Sequence, residues 1–136
     1  MGYYLEYDNR KITIVTDLGH ICSRAAKYIK SANFLVIESN YDKDMLFNGN
    51  YPLYLKSRIH GNNGHLDNEV SATFLAQNMN KDLTHICLAH LSKDNNTPEL
   101  ALLTMKTIFY EHNLFQNNKP EICVLERHSP SEVIVL

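Results

Sequence analysis

Apolar positions along the chain follow two periods. Tyr3 to Tyr7 and Lys11 to Thr16 alternate aromatic or β-branched residues with polar ones around Asp8-Asn9-Arg10, which predicts two strands joined as a hairpin. Residues 22–31 have helical composition, and Asn33 to Glu38 returns as a near-continuous apolar strand, the pattern of a strand covered on both faces. Together they make one βαβ crossover. Between 43 and 61, Gly49 and Pro52 divide the chain into a short helix, a turn, and a second helix from Pro52 to about His60. Asp67 is a good N-cap for a helix over Glu69 to Met79, where Val70, Phe74, Leu75 and Met79 recur at helical spacing. A strand over Thr84 to Ala89 follows. Thr97 then caps a helix that opens with Pro98-Glu99 and runs to about His112, and Glu121 to Leu125 and Val133 to Leu136 are expected to close as strands. The polar stretches at 61–68, 91–97 and 116–120 read as loops.

This order of elements gives an α/β layer in which several loops leave one edge of the sheet. Asp17, Gly19 and His20 follow the second strand; Glu38, Asn40 and Asp42 the third; His90, Ser92, Asn95 and Asn96 the fourth. Ligands of open α/β sheets bind at the carboxyl ends of strands, so the three sets can share a pocket. For Asn40, Asp42, Asp94 and Asn95 the simpler reading is local turn formation, because Asn and Asp bond their own backbone.

With 136 residues, 44% of them hydrophobic and 21% charged, the chain reads as one globular domain over 1–136 with a core of ordinary size. A formal charge of −2 excludes a global basic field, although a local basic patch remains compatible with it. Runs such as IVL and FLVI are too short to cross a bilayer and Met1 opens no signal-peptide layout, so a cytoplasmic location without membrane contact is expected. Cys22, Cys87 and Cys123 lack C-x-x-C pairing and read as reduced, mostly buried thiols.

An acid and an imidazole, Asp17 and His90, each follow a buried strand, which is how a fold fixes metal ligands or acid/base groups on a rigid frame. A turn residue and a satisfied structural histidine are the bland alternatives. His65, in the loop Gly61-Asn62-Asn63-Gly64-His65, could donate a proton or bind phosphate; an ordinary loop histidine would look the same. Glu38 at a strand end is a candidate to orient His65 or His90, or simply to cap the next turn. Lys56 and Arg58 on a short helix could meet phosphates, or form a solvated face. His20, His60, His85, His112 and His128 have no metal-site spacing and read as structural.

The segments TDLGH (16–20), ESNYD with DMLFNGNYP (38–52), LKSRIHGNNGHLDNE (55–69) and LAHLSKDNNTPELA (88–101) resemble, in order and spacing, the C-terminal half of the YycJ (WalJ) branch of the metallo-β-lactamase superfamily. The resemblance covers nearly the whole chain. It implies half of an αββα sandwich, a mixed sheet with helices packed on one face, and a metal-dependent hydrolase that, when complete, is an exonuclease-like phosphodiesterase of DNA or RNA. On that pattern Asp17 matches an acid bridging two divalent ions, zinc or manganese, and His90 matches the last histidine ligand. His65 matches a histidine near the scissile phosphate. Catalytic roles thus fall to His65 and Glu38, and substrate contacts to Lys56, Arg58, Asn68 and Ser92. Tyr41 stands where relatives often have His, and Asp67 where they often have Ser, which bears on substrate contacts rather than on metal ligands.

The family's H-x-H-x-D-H loop does not occur in this sequence. Asp17 and His90 alone fall short of the three or more protein ligands of a catalytic ion, so this segment by itself is expected to bind metal weakly or not at all. The expectation is the C-terminal part of a longer enzyme, completed by its other half or by self-association through an open sheet face. A non-catalytic α/β interaction domain that has kept the fold is the alternative.

Overall fold

In the computed structural model, which describes residues 1–114 and 120–135, the chain opens with a two-residue hairpin turn. Asp8 and Asn9 have φ of 48° and 62°, as a type I′ turn demands, so Arg10 begins the second strand instead of belonging to the turn. Strand β1 (Gly2–Tyr7) pairs antiparallel with β2 (Arg10–Val15), Tyr7 opposite Arg10. Helix α1 (Ser23–Ser31) then leads to β3 (Phe34–Glu38). Next come α2 (Lys43–Asn48), α3 (Leu53–His60) and α4 (Asn68–Asn78), then β4 (His85–Ala89), α5 (Pro98–Glu111) and β5 (Glu121–Val124). The strands lie in chain order, β1-β2-β3-β4-β5, and every pairing after the first is parallel. This is a mixed α/β sheet with crossover helices.

Side-chain caps explain where several helices start. Asp42 accepts from Met45 N, Asp67 from Val70 N, and Thr97 from Leu100 N, each supplying an acceptor to an otherwise unpaired first-turn amide. Pro52 is itself the N-cap of α3, so the helix begins at Leu53, one position after the expected start.

Strand alternation sorts the sheet into two unlike faces. Thr13, Val15, Leu35, Ile37, Ile86 and Leu88 share one face and are buried, most of them in the core with Ile29 of α1, Leu75 of α4, and Met105 and Phe109 of α5. The helices therefore pack on that face. On the opposite face Ile12, Ile14, Phe34 and Val36 are only half-buried, and Tyr3 and Leu5 are 59% and 54% exposed. The apolar run of β3 reads as covered on both sides in sequence, yet only Leu35 and Ile37 are fully enclosed. An apolar sheet face left open in this way is the expected form of half a sandwich.

Two further expectations are corrected. Residues Val133–Val135 form no strand, since β5 already edges the described sheet; Leu136 lies outside the described residues, as does 116–119 of the expected 116–120 loop. Cys22 is exposed at the start of α1 rather than buried. Cys87 is buried and Cys123 half-buried, and the parallel register sets them side by side with sulfurs 3.1 Å apart. No helix among the described residues is long and apolar enough to cross a membrane.

Candidate metal centre

Backbone conformation delivers the two strand-end residues. Asp17 and His90 both adopt left-handed φ, 55° and 58°, directly beyond β2 and β4. Asp and His tolerate this region better than most residues, but it still costs free energy that the surroundings must offset. The result is convergence. Oxygen and nitrogen ligand atoms of Asp17, Glu38, His65 and His90 all lie within 4.8 Å of one another at the carboxyl edge of the sheet.

Glu38 organises this cluster from below. Its carboxylate has no exposed surface, and Oε2 accepts from the amides of Leu18 and Leu66 at 2.8 and 3.2 Å. Oε1 lies 2.7 Å from Nδ1 of His65 and 2.7 Å from Nδ1 of His90. A carboxylate oxygen in these contacts accepts, which assigns the hydrogen to Nδ1 of both rings and leaves each Nε2 as a lone-pair donor. Both rings are thereby fixed in the tautomer a metal ligand needs. His90 Nε2 is 3.7 Å from Asp17 Oδ1, and the rings of His65 and His90 stand 5.2 Å apart. The chemistry of the donor set fits a divalent ion: an exposed carboxylate beside a half-exposed imidazole whose other nitrogen bonds a buried acid.

A loop-to-loop contact positions His65. A Cβ on Gly19 would overlap the backbone of Asn62 and Gly64, so this glycine allows the 61–64 loop to lie on the Asp17 loop. One on Gly64 would overlap that of Ile59 and Arg58, so the second glycine lets the loop fold back on the end of α3. His20 Nδ1 adds a contact to Asn62 O at 3.1 Å. His65 N is held by Ile59 O.

Behind the cluster runs a buried amide network. Asn40 Nδ2 donates to His90 O at 2.6 Å, joining the end of β3 to the end of β4. Asn96 donates to Ser39 O, Asn40 O and Asn68 Oδ1, Ser39 Oγ donates to Asn68 Oδ1, and Asn68 Nδ2 donates to Asn96 Oδ1. No buried side-chain nitrogen or oxygen among the described residues lacks a partner. Asn40 is thus a cross-strand brace and not a simple turn residue, whereas Asp42 is a cap as composition suggests. Tyr41 is buried and bonds His60 Nδ1 at 2.8 Å; burial, with the carboxylates of Asp67 and Glu38 beside it, pushes its phenol well above the ordinary value.

The candidate substrate contacts separate into two groups. Lys56 is buried, its ammonium donating to Phe47 O at 2.7 Å and Gly49 O at 2.8 Å, and Asn68 spends its amide in the network just described. Neither presents its polar group to a phosphate; Lys56 ties the α2–α3 turn together. Arg58 is exposed on α3, and Ser92 is half-buried next to His90. Glu38 meets only imidazoles and backbone amides, so it is a positioning group rather than one that touches substrate. Sequence reasoning places Gly19, Asn40 and Asn96 at the strand ends but assigns them no role; the bracing by the two amides and the close approach at Gly19 come from the structure.

A mixed sheet with helices on one face, Asp17 and His90 at its strand ends and His65 on a neighbouring loop is consistent with half of a metallo-β-lactamase sandwich. No protein-family model matches the chain. It is 37% identical over 133 residues to exodeoxyribonuclease YycJ of Bacillus anthracis, covering 98% of this chain and 50% of that protein. Exodeoxyribonuclease WalJ of Streptococcus pneumoniae is 37% identical over 103 residues, 76% of this chain and 38% of its own length. The chain belongs to the YycJ/WalJ family, and it spans about half the length of the curated relatives it matches.

Proposed function

We propose that this chain is one half of a metal-dependent DNA exonuclease, contributing Asp17 and His90 as ligands and His65 as the acid/base group. The observation that carries this reading is the convergence of Asp17, Glu38, His65 and His90 within 4.8 Å, two of them on left-handed backbone. The relatives named exodeoxyribonucleases support DNA as substrate. Bound divalent ions, zinc or manganese, would activate water and stabilise the leaving oxygen of a phosphodiester. Asp17, with its carboxylate 53% exposed, and Nε2 of His90 would hold them. His65, fixed through Nδ1 and part-exposed, can hold a proton on Nε2 and return it to the leaving oxygen. Glu38 keeps both rings in register. The remaining ligands come from the part of the relatives' length that this chain does not span, and that part packs on the open sheet face carrying Tyr3, Leu5, Ile14 and Val36.

The test is metal-dependent hydrolysis of DNA by the complete protein, with Asp17→Ala and His90→Ala variants checked for fold by circular dichroism. Loss of turnover in both with folding retained supports the reading. Unchanged turnover in either sinks the ligand assignment.

A further inference from the structure

A cleft of about 510 Å³ opens from His90 on the side away from Asp17's loop. Its walls are the β4–α5 loop, with Ser92 and Lys93, and the segment after β5, with Glu126, Arg127 and His128. We infer that this cleft is a phosphate subsite, binding a backbone phosphate of the DNA strand one or more nucleotides away from the bond at the metal centre; the inference rests on the nuclease reading.

Its donors are unspent. Ser92 Oγ accepts from Asn95 N and Nδ2, so its own O–H remains free to donate to a ligand. Arg127 gives one N–H to Leu91 O at 2.5 Å, which anchors the guanidinium at the cleft and leaves further N–H groups for a phosphate oxygen. Lys93 and His128 are exposed and make no hydrogen bond or ion pair among the described residues. The acid nearest in sequence to Lys93, Asp94, is engaged by Tyr51 OH at 2.6 Å. Among the described residues Glu126 is the one carboxylate lining the cleft, against the two permanent cations Lys93 and Arg127. In a chain whose formal charge is −2, a cationic cleft bordering the proposed ligand His90 is a local inversion of the overall sign. Lys56 cannot supply this contact, being committed to backbone carbonyls. Phosphate contacts of this kind position a strand without reading its sequence.

The experiment measures binding of fluorescein-labelled single-stranded DNA by anisotropy in EDTA, using the complete protein, so that metal and turnover play no part. Lys93→Ala/Arg127→Ala should weaken binding about tenfold or more at low salt and flatten the log–log salt dependence by about 1.4, as expected for two lost single-strand phosphate contacts. Lys81→Ala, at the far end of β4, should change neither. Lys93→Ala alone, which leaves the Arg127–Leu91 bond in place, should show part of the loss even if Arg127→Ala loosens the segment after β5. Oligonucleotides with and without a 5′-phosphate tell whether the site takes a terminal or an internal phosphate. Binding by the double variant equal to wild type, or no binding by the wild type, overturns the inference. The two readings fail separately: Asp17→Ala should abolish hydrolysis yet bind DNA normally in EDTA.

Discussion

Nδ1 of His90 and Oε1 of Glu38 are 2.7 Å apart, the carboxylate wholly enclosed and the imidazole 42% exposed. An enclosed acid beneath a half-exposed ring is the arrangement that fixes a ligand's tautomer while keeping its other nitrogen at the surface. The nitrogen-15 shifts of both His65 and His90 should therefore report, for the neutral rings, hydrogen on Nδ1 rather than on Nε2. In Glu38→Gln one oxygen must serve where two served four donors, and the tautomer preference of at least one ring should be lost. Metal affinity of the complete protein should fall about 10–100-fold, the usual cost of removing such a partner. Unchanged nitrogen shifts and affinity would refute the positioning role.

Gly19 tests whether the loop contact sets the site. Adding one methyl forces it into the backbone of Asn62 and Gly64, which lead directly into His65. Gly19→Ala should destabilise the fold by about 1–3 kcal/mol in urea titration and shift the His65 ring resonances more than those of His85, on the far side of the sheet. Equal shifts at the two histidines would show that the loop is not coupled to the site.

Hydrophobic period, composition, Gly49 and Pro52, and the cap residues Asp67 and Thr97 together locate the five strands and five helices of the described residues, because all of these are local signals. The same locality explains the failures. Val133 to Leu136 has strand composition, but nothing in its own residues says whether a neighbouring strand has room beside it. Asp17 and His90 were legible as strand-end residues, while the bond of His90 to Glu38 depends on the parallel register of β3 and β4. One register-dependent contact did leave a trace: the strands HICLA and EICV repeat Ile-Cys, and in register Ile86 faces Ile122 and Cys87 faces Cys123. Burial of a cation has no such trace, and Lys56 and Arg58 look alike in sequence.

That pair gives a direct contrast in stability. Lys56→Met removes two charge-assisted hydrogen bonds from a buried ammonium and leaves the carbonyls of Phe47 and Gly49 without it, so unfolding free energy should drop by at least about 2 kcal/mol. Arg58→Ala, at an exposed position, should stay within about 0.5 kcal/mol of wild type. If the Lys56 variant is as stable as the Arg58 variant, the ammonium is not a structural tie.

Alkaline pH tests the thiol pair. Burial, reinforced by the Cys123 sulfur alongside, pushes the Cys87 thiol from 9.0 up to about 12. Below pH 9 the thiol is protonated in folded and unfolded chains alike, and its environment contributes its full share of stability. Above pH 9 the unfolded chain releases this proton while the folded chain keeps it, so stability falls as pH rises toward 12. The buried Tyr41 phenol, raised above 10.0, acts in the same direction from pH 10 upward. Cys87→Ala removes the first contribution only. Between pH 9 and 10 the wild type should lose stability more steeply than Cys87→Ala, by up to about 1.4 kcal/mol per pH unit, in urea titrations at matched ionic strength. Parallel pH profiles for the two proteins would mean that Cys87 ionises as freely in the folded chain as in the unfolded one, and that the strand pair β4–β5 does not enclose it.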